Sequence, residues 1–230
     1  MYVITAAPAT TALCTRDAVK DELRITDASA NQYLDRLIAY ASAAVGRYCN
    51  RTLGSQTITE TIRLHRMGGG YTDQAWNVEG GTPRMLRAAV LTFWPVTAIS
   101  AITHGDDALD CTNSGGLVST DYEIDTNTGE LFRLINDGRA MWTGRKLVVS
   151  YTAGWKLPLD SGRTLPADIE RAAVLAVSAM YNARARDPLL RSSSIDMVGS
   201  DSWLDPQSGT SGLPMQAVAL LEPYRRINVV

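Results

Sequence analysis

The sequence predicts an α+β fold, in which a helical body is interrupted by a β-rich insertion between its second and third helices. Apolar residues recur at helical spacing near both ends of the chain, whereas they alternate with a period of two in the middle. We therefore divide the chain into a first helical part, residues 1–53, a β-rich insertion, residues 54–163, and a second helical part, residues 164–230.

The first helical part contains two predicted helices. The stretch TRDAVKDELRI begins at Thr15, whose hydroxyl can cap the helix, and Asp17 lies near the positive end of the helix dipole. The second helix is predicted over residues 29–50, because Ser29 and Gln32 form a capping-box pattern. One face of this helix must be buried, and it consists of Leu34, Leu37, Ile38, Ala41, Val45 and Tyr48.

The middle of the chain is rich in β-branched residues and is punctuated by Gly, Asn, Asp and Thr. The turn DTNTG is typical of a β-hairpin. Glycines at 68–70 and 80–81 indicate a mobile loop between the first two strands, within residues 68–81. The strand candidates are TITETIRLHR, AAVLTFW, VTAISAITH, DYEI, ELFRLI and KLVVSYTAGW.

The second helical part begins at Pro166, which suits the first position of a helix, and Asp168 and Glu170 follow in the first turn. This long helix is apolar on several sides, so it is either the central helix of the fold or packed against a neighbouring subunit. Residues 187–213 form a long loop without periodicity, and a short helix then opens at Pro214.

Composition places the chain among ordinary globular proteins, with 45% hydrophobic and 20% charged residues among 230. A net charge of -2 without a basic domain argues against DNA binding as the main task. Three widely spaced cysteines favour a reducing compartment. The N-terminus lacks a secretory pattern and no apolar run is long enough to span a membrane, so we expect a chain that is cytosolic when made.

No residue pattern predicts a catalytic, cofactor or metal site. His65 and His104 lack partners at metal-ligand spacing, and a β-turn explains the acidic pair Asp106 and Asp107. The loop that begins at Asp125 lacks the residues that calcium requires at later positions. Met67 and its three glycines are not followed by a Lys-Ser or Lys-Thr pair, which makes a phosphate site improbable. We therefore expect no enzyme activity.

Two segments are candidates for partner contact. Trp203, with its neighbour Leu204, lies in a loop rich in Ser, Gly and Asp, where a large aromatic either folds onto its own domain or anchors a partner. The tail is either a frayed end or a docking arm that becomes ordered on binding. The tail residues are Tyr224, Arg225, Arg226, Ile227, Asn228, Val229 and Val230.

Several blocks of the sequence resemble the head-tail connector, or adaptor, proteins of long-tailed double-stranded DNA bacteriophages and related gene transfer particles. The blocks are DAVKDELRIT, YLDRLIAYASAAVGRYCNRTL, LVVSYTAGW, LPADIERAAVLAVSAMYNARA and LLEPYRR, in this order. They cover roughly the first 55 residues, residues 145–186 and the end. The middle of the chain and residues 187–213 depart from the resemblance.

The resemblance implies a structural subunit of the virion neck, assembled in the host cytoplasm as a ring of twelve copies. Such a ring joins the portal protein of the DNA-filled head to a stopper or tail-completion protein, and it continues the DNA channel. The resemblance also favours the docking-arm interpretation of Tyr224–Val230. The mild acidity fits a channel, because a strongly basic lumen would hold the phosphates of passing DNA.

Two alternatives remain at this point. The chain could be another neck or tail component, such as a stopper or tail terminator, which is commonly smaller and dominated by β-structure. Far less favoured is a metal-dependent phage hydrolase or nuclease that uses His104, Asp106 and Asp107.

Overall fold

The computed structural model describes residues 1–64, 87–143, 146–185, 192–195, 199–202 and 212–226. The chain forms two units. The first, which we call the sheet unit, comprises Met1–Pro8 and Gly54–Trp155, and the second, the helical unit, comprises Ala9–Leu53 and Lys156–Val230. The fold is thus α+β, with antiparallel sheets in one unit and four helices in the described part of the other.

The described part of the sheet unit contains nine strands. A five-stranded antiparallel sheet has the order β1-β2-β9-β4-β5, and a four-stranded sheet has β3-β7-β6, with β8 on the same edge of β7 as β3. The strands are β1 (Tyr2–Ala6), β2 (Gln56–Arg63), β3 (Ala88–Val90), β4 (Val96–His104), β5 (Asp107–Ala108), β6 (Tyr122–Asp125), β7 (Glu130–Ile135), β8 (Gly138–Ala140) and β9 (Lys146–Ala153).

Strand β1 is not among the strands predicted from the sequence, where residues 1–8 belong to the first helical part. It pairs with β2 in antiparallel register, with Tyr2 opposite Glu60 and Ile4 opposite Ile58. This pairing is what attaches the N-terminal residues to the sheet unit. The predicted hairpin at DTNTG is confirmed, because β6 and β7 pair with Asp125 opposite Glu130.

One hydrophobic core is shared by the two sheets. Its largest members are Trp142, Tyr122 and Tyr151, which are fully buried, and the Trp142 ring donates a hydrogen bond from Nε1 to the carbonyl oxygen of Leu131, at 2.9 Å. The remaining core residues are Ile58, Leu64, Ala89, Leu91, Phe93, Val96, Ile99, Ile102, Leu109, Leu131, Leu147, Val149 and Ala153.

A buried polar network holds the segment between β3 and β4 in place. Glu60 accepts hydrogen bonds from the backbone N–H of Thr92, at 2.9 Å, and from the hydroxyl of Tyr151, at 2.7 Å. The same Tyr151 hydroxyl accepts from the backbone N–H of Phe93, at 3.2 Å. A carboxylate that lies only 5% exposed is therefore satisfied by groups from two other parts of the unit, which offsets its desolvation.

A turn over Asn113–Gly116 lies against β4 and requires glycine at its last position. Gly116 has φ +75°, and a Cβ atom there would lie 2.0 Å from the carbonyl oxygen of Ile99. The Tyr122 hydroxyl donates to the carbonyl oxygen of Gly116, at 2.6 Å, which attaches the turn to the core. The close approach of the turn to Ile99 depends on the absence of a side chain at Gly116.

The helical unit contains α1 (Arg16–Leu23), α2 (Asn31–Cys49), α3 (Ala167–Asn182) and α4 (Met215–Leu221). The predicted cap of α1 is confirmed, because Thr15 accepts a hydrogen bond from the Ala18 N–H. The predicted capping box of α2 is wrong. Ala30 is the cap residue and makes no side-chain hydrogen bond, while the Ser29 hydroxyl binds Asp27 instead.

Helix α3 is the central helix of its unit, since α1, α2 and α4 all contact it. Its sequence explains this position, because alanine and valine on several sides allow three neighbouring helices to approach closely. The buried residues are Ile169, Ala172, Ala173, Val174, Ala176 and Val177. The predicted acidic first turn, with Asp168 and Glu170, is confirmed.

The loop predicted over residues 187–213 contains a short pair of antiparallel strands. Strands β10 (Ser192–Ile195) and β11 (Gly199–Ser202) pair with each other, with Ser192 opposite Ser202. Serine and glycine carry little β-propensity, so this backbone pairing left no periodic signal in the sequence. Within the described residues, no helix has the length and apolar character needed to cross a membrane.

Candidate functional site

His104 has a structural environment in the sheet unit. Its Nε2 atom lies within hydrogen-bond distance of the carbonyl oxygen of Thr143, and its ring meets the edge of Trp142 at 5.3 Å between centroids. Gly105, which adopts φ +67°, and Asp106 form the turn between β4 and β5, and Asp107 is the first residue of β5. His65, the second histidine considered in the sequence, lies outside the described residues.

The acidic side chain of the turn at Asp125 accepts hydrogen bonds from the backbone of its own turn. The Asp125 carboxylate accepts hydrogen bonds from the N–H groups of Asn127, at 2.9 Å, and Thr128, at 3.4 Å, and these hold its pKa below the usual range. This is the bonding of a hairpin turn. Among the described residues, no cluster of three or more His, Cys, Asp or Glu side chains could hold a metal ion.

The cysteines differ in their accessibility. Cys14 and Cys49 are buried in the helical unit, and burial raises the pKa of their thiols to about 12 and about 11, respectively. Cys111 is half-buried in the sheet unit. Because the thiolate is the reactive form, the two buried thiols are protected both by access and by protonation.

We expect a thiol reagent at pH 8 to modify Cys111 quickly in the native protein and to reach Cys14 and Cys49 only after denaturation. Counting released chromophore with a disulfide reagent such as DTNB will give one thiol in buffer and three in guanidinium chloride. A Cys111→Ser variant is the control and should give none and two. Fast reaction of that variant without denaturant would contradict the buried placement of the other two cysteines.

The candidate functional site is the C-terminal segment of the helical unit, which the sequence proposed as a docking arm. Helix α4 buries Ala217 and Leu221, and the chain continues through a 3₁₀ turn over Glu222–Tyr224. The hydroxyl of Tyr48, near the end of α2, donates to the Glu222 carboxylate. Burial and this carboxylate raise the pKa of Tyr48, so the hydroxyl stays a donor at neutral pH.

The first three residues of the proposed arm are attached to the helical unit. Tyr224 is half-buried, and burial followed by the nearby Asp168 raises its pKa. The Arg225 guanidinium lies over the Tyr48 ring, at 5.3 Å from the centroid. The backbone N–H of Arg226 donates to the carbonyl oxygen of Cys49, at 3.0 Å. These contacts hold the chain on the helical unit as far as Arg226.

Three arginines lie near the end of α2, and one of them, Arg225, is 3.8 Å from the Glu222 carboxylate. Arg51 is buried just after α2, and burial lowers its pKa to about 10, with Arg226 adding to the effect by charge repulsion. The C-terminal end of a helix carries partial negative charge, which favours cations at this position. The root of the tail therefore consists of Arg51, Arg225 and Arg226 beside the end of α2.

Several predicted contact residues lie outside the described residues. They are Ile227, Asn228, Val229 and Val230 of the tail, Trp203 and Leu204, most of the loop at 187–213 and the glycine-rich loop at 68–81. The site at the root of the tail could be found from the sequence only in part. The LLEPYRR block marked the segment, but nothing marked Tyr48 and Cys49 as the residues that hold it.

Searches for related proteins gave structural matches only. No family model matches this chain, and no curated protein matches by sequence.

The structural matches are chains from particles of a gene transfer agent (GTA). One is described as the neck of an empty GTA particle computed with C6 symmetry, with a TM-score of 0.51 and 16% identity. A second comes from the neck of a native GTA particle computed with C12 symmetry, with a TM-score of 0.50 and 19% identity. A third comes from the virion of a native GTA particle, with a TM-score of 0.50 and 17% identity.

Each match covers 100% of this chain and 97% of the other chain, so the likeness extends over both units. At this level of identity the comparison concerns architecture. The chain has a fold similar to that of proteins in the neck and virion of a gene transfer agent.

Proposed function

We propose that this chain is a structural adaptor subunit in the neck of a tailed bacteriophage or related particle. In this role twelve copies form a ring that joins the portal of the DNA-filled head to a stopper or tail-completion protein. The ring continues the DNA channel without reading sequence. The single observation that carries the proposal is the full-length similarity of fold to chains of gene transfer agent necks.

The symmetry of those necks supports a ring. One matching neck was computed with C12 symmetry and another with C6 symmetry, and both symmetries place equivalent copies around one axis. A cyclic ring needs a heterologous contact on each flank of every subunit. Many such contacts, made at the same time, produce a stable joint from individually modest interfaces.

The charge of the chain is consistent with a channel. At a net charge of -2, the chain has no basic domain that would hold passing DNA through release of counterions. The Asp125 carboxylate is engaged in its own turn and the His104 side chain contacts a backbone carbonyl, and this favours a structural role over an enzymatic one.

The root of the tail supports a docking role for the C-terminus. Tyr224, Arg225 and Arg226 are held on the helical unit, so Ile227–Val230 begin at a defined point. We assign these residues to portal contact, with the anchored residues setting the direction of departure. A short arm that becomes ordered on binding loses conformational entropy, and a defined starting point reduces this loss. Trp203 and Leu204 are proposed as a second partner contact.

The helical unit also favours an adaptor over a stopper or tail terminator, which are commonly dominated by β-structure. Four helices occur among the described residues, and α3 alone spans Ala167–Asn182. The hydrolase alternative is disfavoured, because Asp107 belongs to β5, where it pairs with His104, and the His104 side chain contacts backbone and Trp142.

A particle reconstruction tests this proposal. Deleting the gene from its phage or particle genome should yield DNA-filled heads without tails, and the neck of wild-type particles should contain a ring of this chain that the deletion lacks. Supplying the chain in trans should restore tailed particles. Normally tailed particles from the deletion strain, or density for the chain outside the neck, would contradict the proposal.

A further inference from the structure

Strand β1 forms an open edge of the sheet unit as far as the described residues go, and the described contact of its apolar side chains is that of the Tyr2 ring with Phe93, at 4.9 Å between centroids. Every residue of Tyr2–Ala6 is exposed, although the strand reads YVITA and follows an exposed methionine. Tyr2 is 48% exposed, Val3 55% and Ile4 43%. A strand with apolar residues on both faces is typical of a strand that is covered on both faces.

Among the described residues, the backbone of β1 pairs with β2 on one side only. Met1 and Thr61 exchange two hydrogen bonds, at 3.0 and 2.7 Å. Because bonded and non-bonded pairs alternate in an antiparallel ladder, the N–H and C=O groups of Tyr2 and Ile4 point away from β2. Those groups present a template that another strand can pair with.

Two protections of an edge strand, charged side chains and proline, are absent from β1, which is short and has a register shift between Ile4 and Ala6. Residues 1–15 contain no Asp, Glu, Lys or Arg, and the first proline follows the strand, at residue 8. Charges and prolines are the common devices against unwanted pairing. Their absence over β1 indicates that pairing at this edge is used.

The opposite edge of the five-stranded sheet is occupied. Strand β5 pairs with the end of β4, the Leu109 N–H donates to the Ile102 carbonyl oxygen at 3.0 Å, and Gly116 lies against the carbonyl oxygen of Ile99. Two copies therefore cannot continue one sheet by joining β1 to β4. A ring requires a heterologous contact, so we place the partner surface on a different part of the neighbouring copy.

We infer that β1 is a contact between copies, in which a segment of the neighbouring copy pairs with the open edge at Tyr2 and Ile4. This inference rests on the proposed ring, and the C12 and C6 necks of the similar chains are what indicate a second copy as the occupant. Main-chain hydrogen bonds would give the contact its affinity, while Tyr2, Val3 and Ile4 would bury apolar surface.

Two variants test the edge, in a chain without an N-terminal tag. Ile4→Pro removes one outward N–H and leaves the bonds to β2, since proline is tolerated at a sheet edge where its nitrogen faces away from the sheet. Val3→Lys adds charge to the same strand. The matched control is Val118→Lys, because Val118 is similarly exposed, at 60%, and lies in the same unit.

We expect both β1 variants to weaken each copy-to-copy contact about tenfold or more. In Ile4→Pro a carbonyl oxygen of the neighbouring copy loses its hydrogen-bond donor, and in Val3→Lys a charged group must be desolvated in the contact. Ring occupancy in purified necks should therefore fall sharply, while Val118→Lys should assemble like the wild type. Melting temperatures of the free chains should be nearly equal. Wild-type occupancy in both β1 variants would overturn the inference, whereas a wild-type chain that never enters a ring would overturn the proposed function instead.

Hydrogen exchange gives a second test that needs no variant. The Ile4 amide should exchange quickly in the free chain and at least about tenfold more slowly in the ring, because it gains a hydrogen bond there. The Val3 amide, which faces β2, should be protected in both states. Equal exchange of Ile4 in both states would overturn the inference, as would protection that arises only when the portal is added.

Discussion

Replacing Gly116 with alanine will lower the free energy of unfolding of the sheet unit by about 3–5 kcal/mol, the range of the more severe single substitutions. The added Cβ would stand 2.0 Å from the Ile99 carbonyl oxygen and 2.8 Å from its carbon. Both are backbone atoms of β4, so neither can move without disturbing the sheet. The turn must shift instead, and the hydrogen bond from Tyr122 to the Gly116 carbonyl is then lost.

The matched control is Gly105→Ala, which separates the close contact from the backbone conformation. Gly105 has φ +67°, close to that of Gly116, but no atom lies within 4 Å of the position of its Cβ. The control should cost only about 1–2 kcal/mol, the penalty of a left-handed conformation for a residue with a side chain. Urea unfolding followed by near-UV circular dichroism of the buried aromatics will measure both. Equal losses in the two variants would contradict the assigned contact.

Deleting Ile227–Val230 will abolish joining to the portal and leave the melting temperature of the chain nearly unchanged. The shortened chain ends at Arg226. It therefore retains the hydrogen bond to Cys49, the contact of Arg225 with the Tyr48 ring and the position of Tyr224. Loss of terminal residues costs little stability when the contacts that hold the end of the chain are kept. Co-purification of the variant with tagged portal, together with thermal unfolding, will measure the two effects separately.

A longer deletion that begins at Tyr224 is the comparison. It also removes the hydrogen bond and the ring contact at the end of α2, which we expect to lower stability by about 1–3 kcal/mol. This longer deletion therefore mixes a folding effect with a binding effect, and the shorter one does not. Portal joining at the wild-type level after the shorter deletion would remove the docking role from Ile227–Val230.

Much of the secondary structure follows from local patterns in the sequence. The cap at Thr15, the acidic first turn of α3 and the hairpin at Asp125 are interactions between residues a few positions apart, so their signals are local. The capping box at Ser29 shows the limit of such signals. Asp27 competes for the same hydroxyl, and the helix begins without a side-chain cap.

The candidate site was harder to predict than the helices that carry it. The sequence marked Tyr224 and Arg225 as part of a tail, yet the tail's root is held by Tyr48 and Cys49, about 175 positions earlier in the chain. No local pattern encodes such a pairing, because each partner reads as an ordinary residue of its own helix.

The sequence by itself determined that helices flank a β-rich middle, that the charge is nearly balanced and that no pattern of a catalytic or metal site is present. Only the tertiary structure decided that β1 joins the sheet of residues 56–153, that Glu60 and Tyr151 hold the segment at Phe93, and that Tyr48 and Cys49 hold the chain at Arg225 and Arg226. The reason is range: periodicity and capping act over one or two turns, whereas pairing and burial join residues that are far apart in the chain.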